Sequence, residues 1–164
     1  CLVTEQMAAG YSAAGDGEAA RSGTVLRTYR LACATTGEYT QFHGGTVSLG
    51  LAAVVTAINR VTLVYEVEFS IRLMLIENNN VLIYTNPATD PYSNNNSFAM
   101  LGQNQATIDA VIGNANYDVG HVLTTDEGGV ASVASVGSAG SKAQGVSGRS
   151  SPTGDALYID VLLR

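Results

Sequence analysis

The side chains with chemistry to offer are few. Two histidines, His43 and His121, sit in separate segments with no carboxylate at ligand spacing to either. A catalytic zinc typically takes three protein ligands, so the pair makes a poor zinc site. The better reading has His43 bonding a loop backbone and His121 packed in or beside a sheet. The two cysteines, Cys1 and Cys33, leave three readings open. These are a disulfide between them in an oxidising compartment, a lipid on an amino-terminal Cys1, and an arbitrary chain start with a small buried thiol at Cys33. The stretch from Glu77 to Asn96 is rich in hard oxygen donors, with Asp90, Asn94 and Asn96 as candidate calcium ligands. It lacks the alternate-position spacing of an EF-hand, and asparagine clusters more often serve turns. Asp126 and Glu127, adjacent in a turn, are expected to be solvated rather than opposed as acid and base. Glycine-rich SAGSKAQGVSG is no phosphate loop, because G-x-x-x-x-G-K-[ST] does not occur, and no G-x-S-x-G elbow presents a serine nucleophile.

The elements that must position these groups come from a chain of 164 residues, the usual size of one domain. A formal charge of -6 gives no drive toward phosphate backbones and no polybasic patch for anionic lipid, so nucleic-acid and membrane-surface roles are not expected. Only 13% of residues are charged, about half the usual share. Such a neutral surface repels its own copies weakly and suits proteins that work outside cells or in packed assemblies. No continuous apolar run of membrane-spanning length is read from the sequence, and the opening CLVTEQMAAG lacks the pattern of a signal peptide.

Residues 1–23 are small and Gly-rich and read as a flexible arm, leaving 24–164 as the domain. Residues 24–34 alternate as a first strand, with Val25, Leu31 and Cys33 inward. A long helix follows, capped by Thr46 or Ser48, with Leu49, Ala52, Ala53, Ala57, Val61, Val64 and Tyr65 at helical spacing. EFSIRLMLIE predicts a strand covered on both faces, VLIYT a short strand, and NPATDPYSNNNS a surface loop. Leu101, Ile108, Val111 and Ile112 mark one face of a second helix. YDVGHVLTT predicts a strand, TDEGG its turn, and GVASVASVGSAGS a small-residue strand suited to an edge. KAQGVSGRSSPTG reads as loop, and ALYIDVLL fits either a last strand or the first turns of a helix. The order predicts an α/β fold with a mixed sheet and two main helices.

Taken together, GEYTQFHGGTV, NNNVLIYTNPATDPYSNNN, MLGQNQATIDAVIGNANYDVGHVLTT, GGVASVASVG, SKAQGVSG and PTGDALYIDV resemble, in order and spacing, one known subdomain. It is the N-terminal subdomain of bacterial reprolysin-like metallopeptidases, members of the metzincin group of zinc endopeptidases. The resemblance covers roughly residues 31–161. It implies a twisted sheet with two helices and an antiparallel edge strand that pairs with extended peptide substrate. By order that strand falls on Gly129, Val130, Ala131, Ser132, Val133, Ala134, Ser135 and Val136. It also implies that an active-site helix bearing H-E-x-x-H-x-x-G-x-x-H should follow the GD…ID phrase, and here IDVLLR closes the sequence.

Three explanations fit that ending: a proteolytic or engineered fragment, a gene product without its catalytic half, or a sequence covering part of an active enzyme. The favoured reading is a catalytically incompetent domain that self-assembles outside the cell or at its surface. In that reading copies cover each other's edges, as a homo-oligomer, polymer or filament. The alternative is the N-terminal fragment of a secreted zinc metalloendopeptidase, active only with its missing half. Zinc is expected only with that half, calcium is the one candidate cofactor of the chain itself, and extended peptide along the edge strand is the other candidate partner.

Overall fold

The structure, a computed structural model, describes residues 25–162. The expected arm and Cys1 therefore lie outside the described residues. Strand β1 (Arg27–Thr35) has its second half, from Leu31 onward, buried throughout. Helix α1 (Gly37–Phe42) starts at once, because the Thr36 hydroxyl accepts a bond from the Tyr39 N–H at 3.3 Å. Helix α2 (Val47–Phe69) is capped in the same way by Thr46 accepting from Leu49 N–H, and stops at Ser70 in the left-handed conformation. Then come β2 (Ile71–Leu75), a 3₁₀ turn (Asn79–Leu82) and α3 (Ser97–Val111), the last capped by Asn96 accepting from Ala99 N–H. Strands β3 (Val119–Thr124), β4 (Gly128–Ala131) and β5 (Gly145–Gly148) and the short helix α4 (Asp155–Tyr158) complete the order.

The strands form one mixed sheet in the order β2-β1-β3-β5-β4, all parallel except β4, which runs antiparallel to β5. Helices cover both faces, as parallel strands require. On one face Leu31, Cys33 and Leu123 pack against Val54, Ala57 and Ile58 of α2 and against Leu157 and Tyr158 of α4. On the other, Ala32, Ala34, Val122 and Val146 pack against Met100, Ile108 and Ile112 of α3. The fold class expected from the sequence, a mixed α/β sheet with two main helices, is the one observed.

Several details differ, each for a physical reason. Helix α2 buries Gly50, Val54, Ala57, Ile58 and Val61, while Leu49 is half exposed. A helix apolar nearly all round does not reveal which stripe faces the core. By length and composition alone α2 would also cross a membrane, contrary to the sequence expectation, but the core helix of a globular domain passes the same test. Val25, expected to point inward, is 69% exposed just ahead of β1. The expected strand at VLIYT is the 3₁₀ turn, with Ile83 bridging to Thr35. The expected eight-residue edge strand ends at Ala131. Beyond it the chain turns at Ala134, which has positive φ, and Val133 is 96% exposed. KAQGVSG is not all loop, since Gly145–Gly148 forms β5 between β3 and β4. Its sequence, GVSG, carries almost no β-propensity, because neighbours approach its backbone too closely for larger side chains.

The 3₁₀ turn repairs an edge. Strand β1 outruns β2, and the buried Asn79 stands in for the missing strand. Its Oδ1 accepts from Cys33 N–H at 2.8 Å and its Nδ2 donates to Cys33 C=O at 2.8 Å. Replacing Asn79 by Ala leaves two backbone groups unpaired in the core, with an expected loss of about 2 kcal/mol. Urea denaturation of Asn79→Ala against wild type measures it.

Candidate functional site

Strand β4 is the end of the sheet, and its outer side is defined by hydrogen-bond alternation. Ser132 N–H donates to Gln144 C=O at 2.9 Å, continuing the pairing in which Gly128, Gly129, Val130 and Ala131 oppose Gly148, Ser147, Val146 and Gly145. In an antiparallel ladder, bonded and non-bonded pairs alternate. Gly128, Val130 and Ser132 therefore point their backbone groups at β5, and Gly129 and Ala131 point theirs outward. Native edges are commonly blunted by charge, proline or a bulge. The four residues of β4 carry no charge or proline. The preceding Glu127 is turned away, accepting from Ser150 N–H and Oγ–H at 2.9 and 2.6 Å.

Beside this edge lies a trough of about 460 Å³ on the α2/α4 face of the sheet. A side chain on Gly129 would meet Val161 at 3.2 Å and Ser147 at 3.4 Å, which puts the Gly129, Ala131, Gly145 and Ser147 positions on that face. The floor is thus nearly free of side chains. Val161 and Leu162 with the carboxylate of Asp160 form one wall, and His121 stands at the inner end.

His121 also lines a smaller apolar cavity of about 180 Å³ between the sheet and α2. A Cβ on Gly145 would lie 2.5 Å from its Nδ1, so the ring occupies the space that glycine leaves. Part of the ring reaches the surface, but Nε2 is enclosed and has no hydrogen-bond partner. Burial pushes the imidazole down to about 4. Above the ordinary value near 6.5 both folded and unfolded rings are neutral and stability is unaffected. Between about 6.5 and 4 the unfolded chain takes up a proton that the folded ring refuses, so stability falls as pH falls. The expected total is at most about 3 kcal/mol, and it should vanish in His121→Leu. Thermal melts of both proteins from pH 7 to pH 4 check it.

The remaining sequence-predicted groups do not assemble into a site. His43 Nε2 lies 3.2 Å from Pro152 C=O and its ring packs on Tyr39, the loop-backbone role expected. Burial lowers its pKa against that hydrogen bond. Calcium is not supported, because the protein itself consumes the candidate oxygens. Asp90 accepts from Gly37 and Tyr92 N–H at 2.6 and 2.9 Å, and Asn96 caps α3. Asn94 Oδ1 accepts from the Thr36 and Thr124 hydroxyls and from Thr125 N–H. Asp126 accepts from the Ser97 hydroxyl at 2.8 Å and does not oppose Glu127. Cys33 is a free, fully buried thiol pushed up to about 12 by burial. Among the described residues no three of His, Cys, Asp and Glu come together to hold a metal ion. These donors do not fit zinc, and no hydrolytic step follows from them.

The sequence reading missed β5, the trough floor and the enclosed nitrogen of His121. The only signal was negative: GVSG is small at every position except Val146, as a floor beneath another group must be.

A mixed sheet with helices on both faces and an open antiparallel end strand beside a side-chain-free trough defines an α/β domain of the metzincin-like kind. The family model for reprolysin-like metallopeptidases of family M12B matches residues 25–163, and the chain belongs to that family. Among curated proteins none matches.

Proposed function

We propose that this metallopeptidase-family domain binds an extended polypeptide as an added strand on β4. The observation that carries the reading is the outward pair of Gly129 and Ala131, which offers two N–H and two C=O groups on an unprotected edge. Main-chain bonds of this kind give affinity without demanding a sequence, and pockets beside the strand then add selectivity. The test uses the direction of the Ala131 N–H. Proline there removes a donor that faces away from β5, so Ala131→Pro keeps the β4–β5 ladder. Binding of an unstructured casein peptide, followed by fluorescence anisotropy, should weaken at least tenfold in Ala131→Pro while the melting temperature stays within a few degrees. Unchanged affinity would overturn the reading.

Self-assembly is the second reading, favoured by the apolar outer side of α2, where Leu63, Val67 and Phe69 are half exposed or more. A second copy would cover that face or the β4 edge, and heterologous contacts of this type extend into filaments. The low charge fraction supports a setting outside the cell for either role. Sedimentation equilibrium separates the two readings: mass rising with concentration supports assembly, and a monomer at millimolar concentration opposes it.

A further inference from the structure

We propose that the position opposite Ala131 in a strand bound to β4 selects a tyrosine side chain, read by Nε2 of His121. This rests on the strand-pairing reading and adds the side-chain class that the site takes.

Directly opposed residues of neighbouring strands place their side chains on the same face. A residue opposite Ala131 therefore projects onto the face of Gly145, along the trough. Its path crosses Ala131 and then Gly145, the two smallest side chains available, so a flat ring passes without displacing anything. Val161 and Leu162 supply an apolar wall beside it.

Distance then decides the length of the side chain. Two strand spacings, about 10 Å, separate the incoming backbone from β5. His121 projects from β3 back over Gly145, so its ring stands above β5 itself. A tyrosine side chain plus one hydrogen bond of about 2.8 Å covers that span. Phenylalanine stops short by the length of the bond, and leucine by more. The phenol hydroxyl reaches an enclosed nitrogen that no protein group satisfies. Pairing that nitrogen relieves the cost of burying it alone, which leucine or phenylalanine cannot do.

The experiment compares three otherwise identical extended peptides carrying Tyr, Phe or Ala at one position within a strand of Thr and Ser, titrated into wild type and His121→Phe. Wild type should bind the Tyr peptide roughly three- to tenfold tighter than the Phe peptide, in keeping with one neutral hydrogen bond. The discrimination should disappear in His121→Phe, while binding of the Ala peptide persists. Because His121→Phe tests a packed position, the ¹⁵N resonance of Nε2 in the wild type gives a second reading, shifting with the Tyr peptide and staying in place with Phe. Equal affinity for Tyr and Phe with an unmoved Nε2 signal, as when that nitrogen is merely hydrated, would overturn the proposal and leave strand pairing standing. Failure of all three peptides to bind would instead remove the strand-pairing reading beneath it.

Discussion

Gly148→Ala is expected to destabilise the domain by about 3–5 kcal/mol and to abolish peptide binding with it. A Cβ at this position would lie 2.3 Å from Asp126 C=O, 2.4 Å from the Thr124 methyl and 2.6 Å from Thr124 C=O. Two of those atoms are backbone, so no rotamer change relieves the contact. Gly148 pairs with Thr124 on one side and Gly128 on the other, which makes it the junction at which the β3–β4 turn is laid over the sheet. Forcing it open moves β4 as a unit. Gly128→Ala is the control: its φ of 108° disfavours a side chain, but nothing stands within 4 Å of the added carbon. About 1–2 kcal/mol is expected there from backbone strain alone. Equal urea midpoints for the two variants would show that close packing at Gly148 does not hold the edge in place.

Lys142→Met should cost about 3 kcal/mol, although lysine is usually a surface residue. Here it is 6% exposed, donates from Nζ to Asn114 C=O and to Tyr117 C=O (2.8 Å for the latter), and stands 4.2 Å over the Tyr117 ring. Methionine keeps the length and removes the donors, leaving two carbonyls unpaired. The neighbouring carboxylate loses a cation as well. Burial raises the pKa of Asp109, but bonds from Tyr117, Gln105 and Asn114, with the charge of Lys142, outweigh it and hold the group below its ordinary value. The consequence reaches the edge strand through Lys142's own backbone. Its C=O accepts from Gly120 N–H at 2.7 Å, and the next residue, Ala143, is bonded to Gln105 and Asn104 of α3. This cluster anchors the chain just before β5. A loss under 1 kcal/mol in chemical denaturation would mean that the lysine is not the anchor.

Periodicity exposed the parts of the fold that bury large side chains. The first strand, the two long helices and β3 announce themselves because Leu31, Val61, Ile108 and Leu123 recur at strand or helix spacing. The parts built by small or polar residues stayed hidden. β5 consists of glycine, valine, serine and glycine, and its role follows from what crowds it rather than from its own preferences. Asn79 looks like one of three turn asparagines, yet it completes a strand edge 46 residues away. Lys142 looks like a loop residue and is a buried anchor. His121 was legible as a packed imidazole, but its enclosed nitrogen depends on Gly145 lying beneath it, a relation between two strands that spacing along the chain does not encode. The edge strand itself was placed correctly at its start and drawn too long, since nothing in the repeated VAS pattern marks the turn at Ala134.

The central claim is that Gly129 and Ala131 are the backbone groups that receive a partner strand. Amide hydrogen exchange, read residue by residue by NMR with and without saturating extended peptide, tests it most directly. The account predicts that exchange at Gly129 and Ala131 slows at least tenfold while Val130, already bonded to β5, changes little. Unaltered exchange at both outward amides in the presence of bound peptide, or protection confined to another surface such as α2, would contradict it.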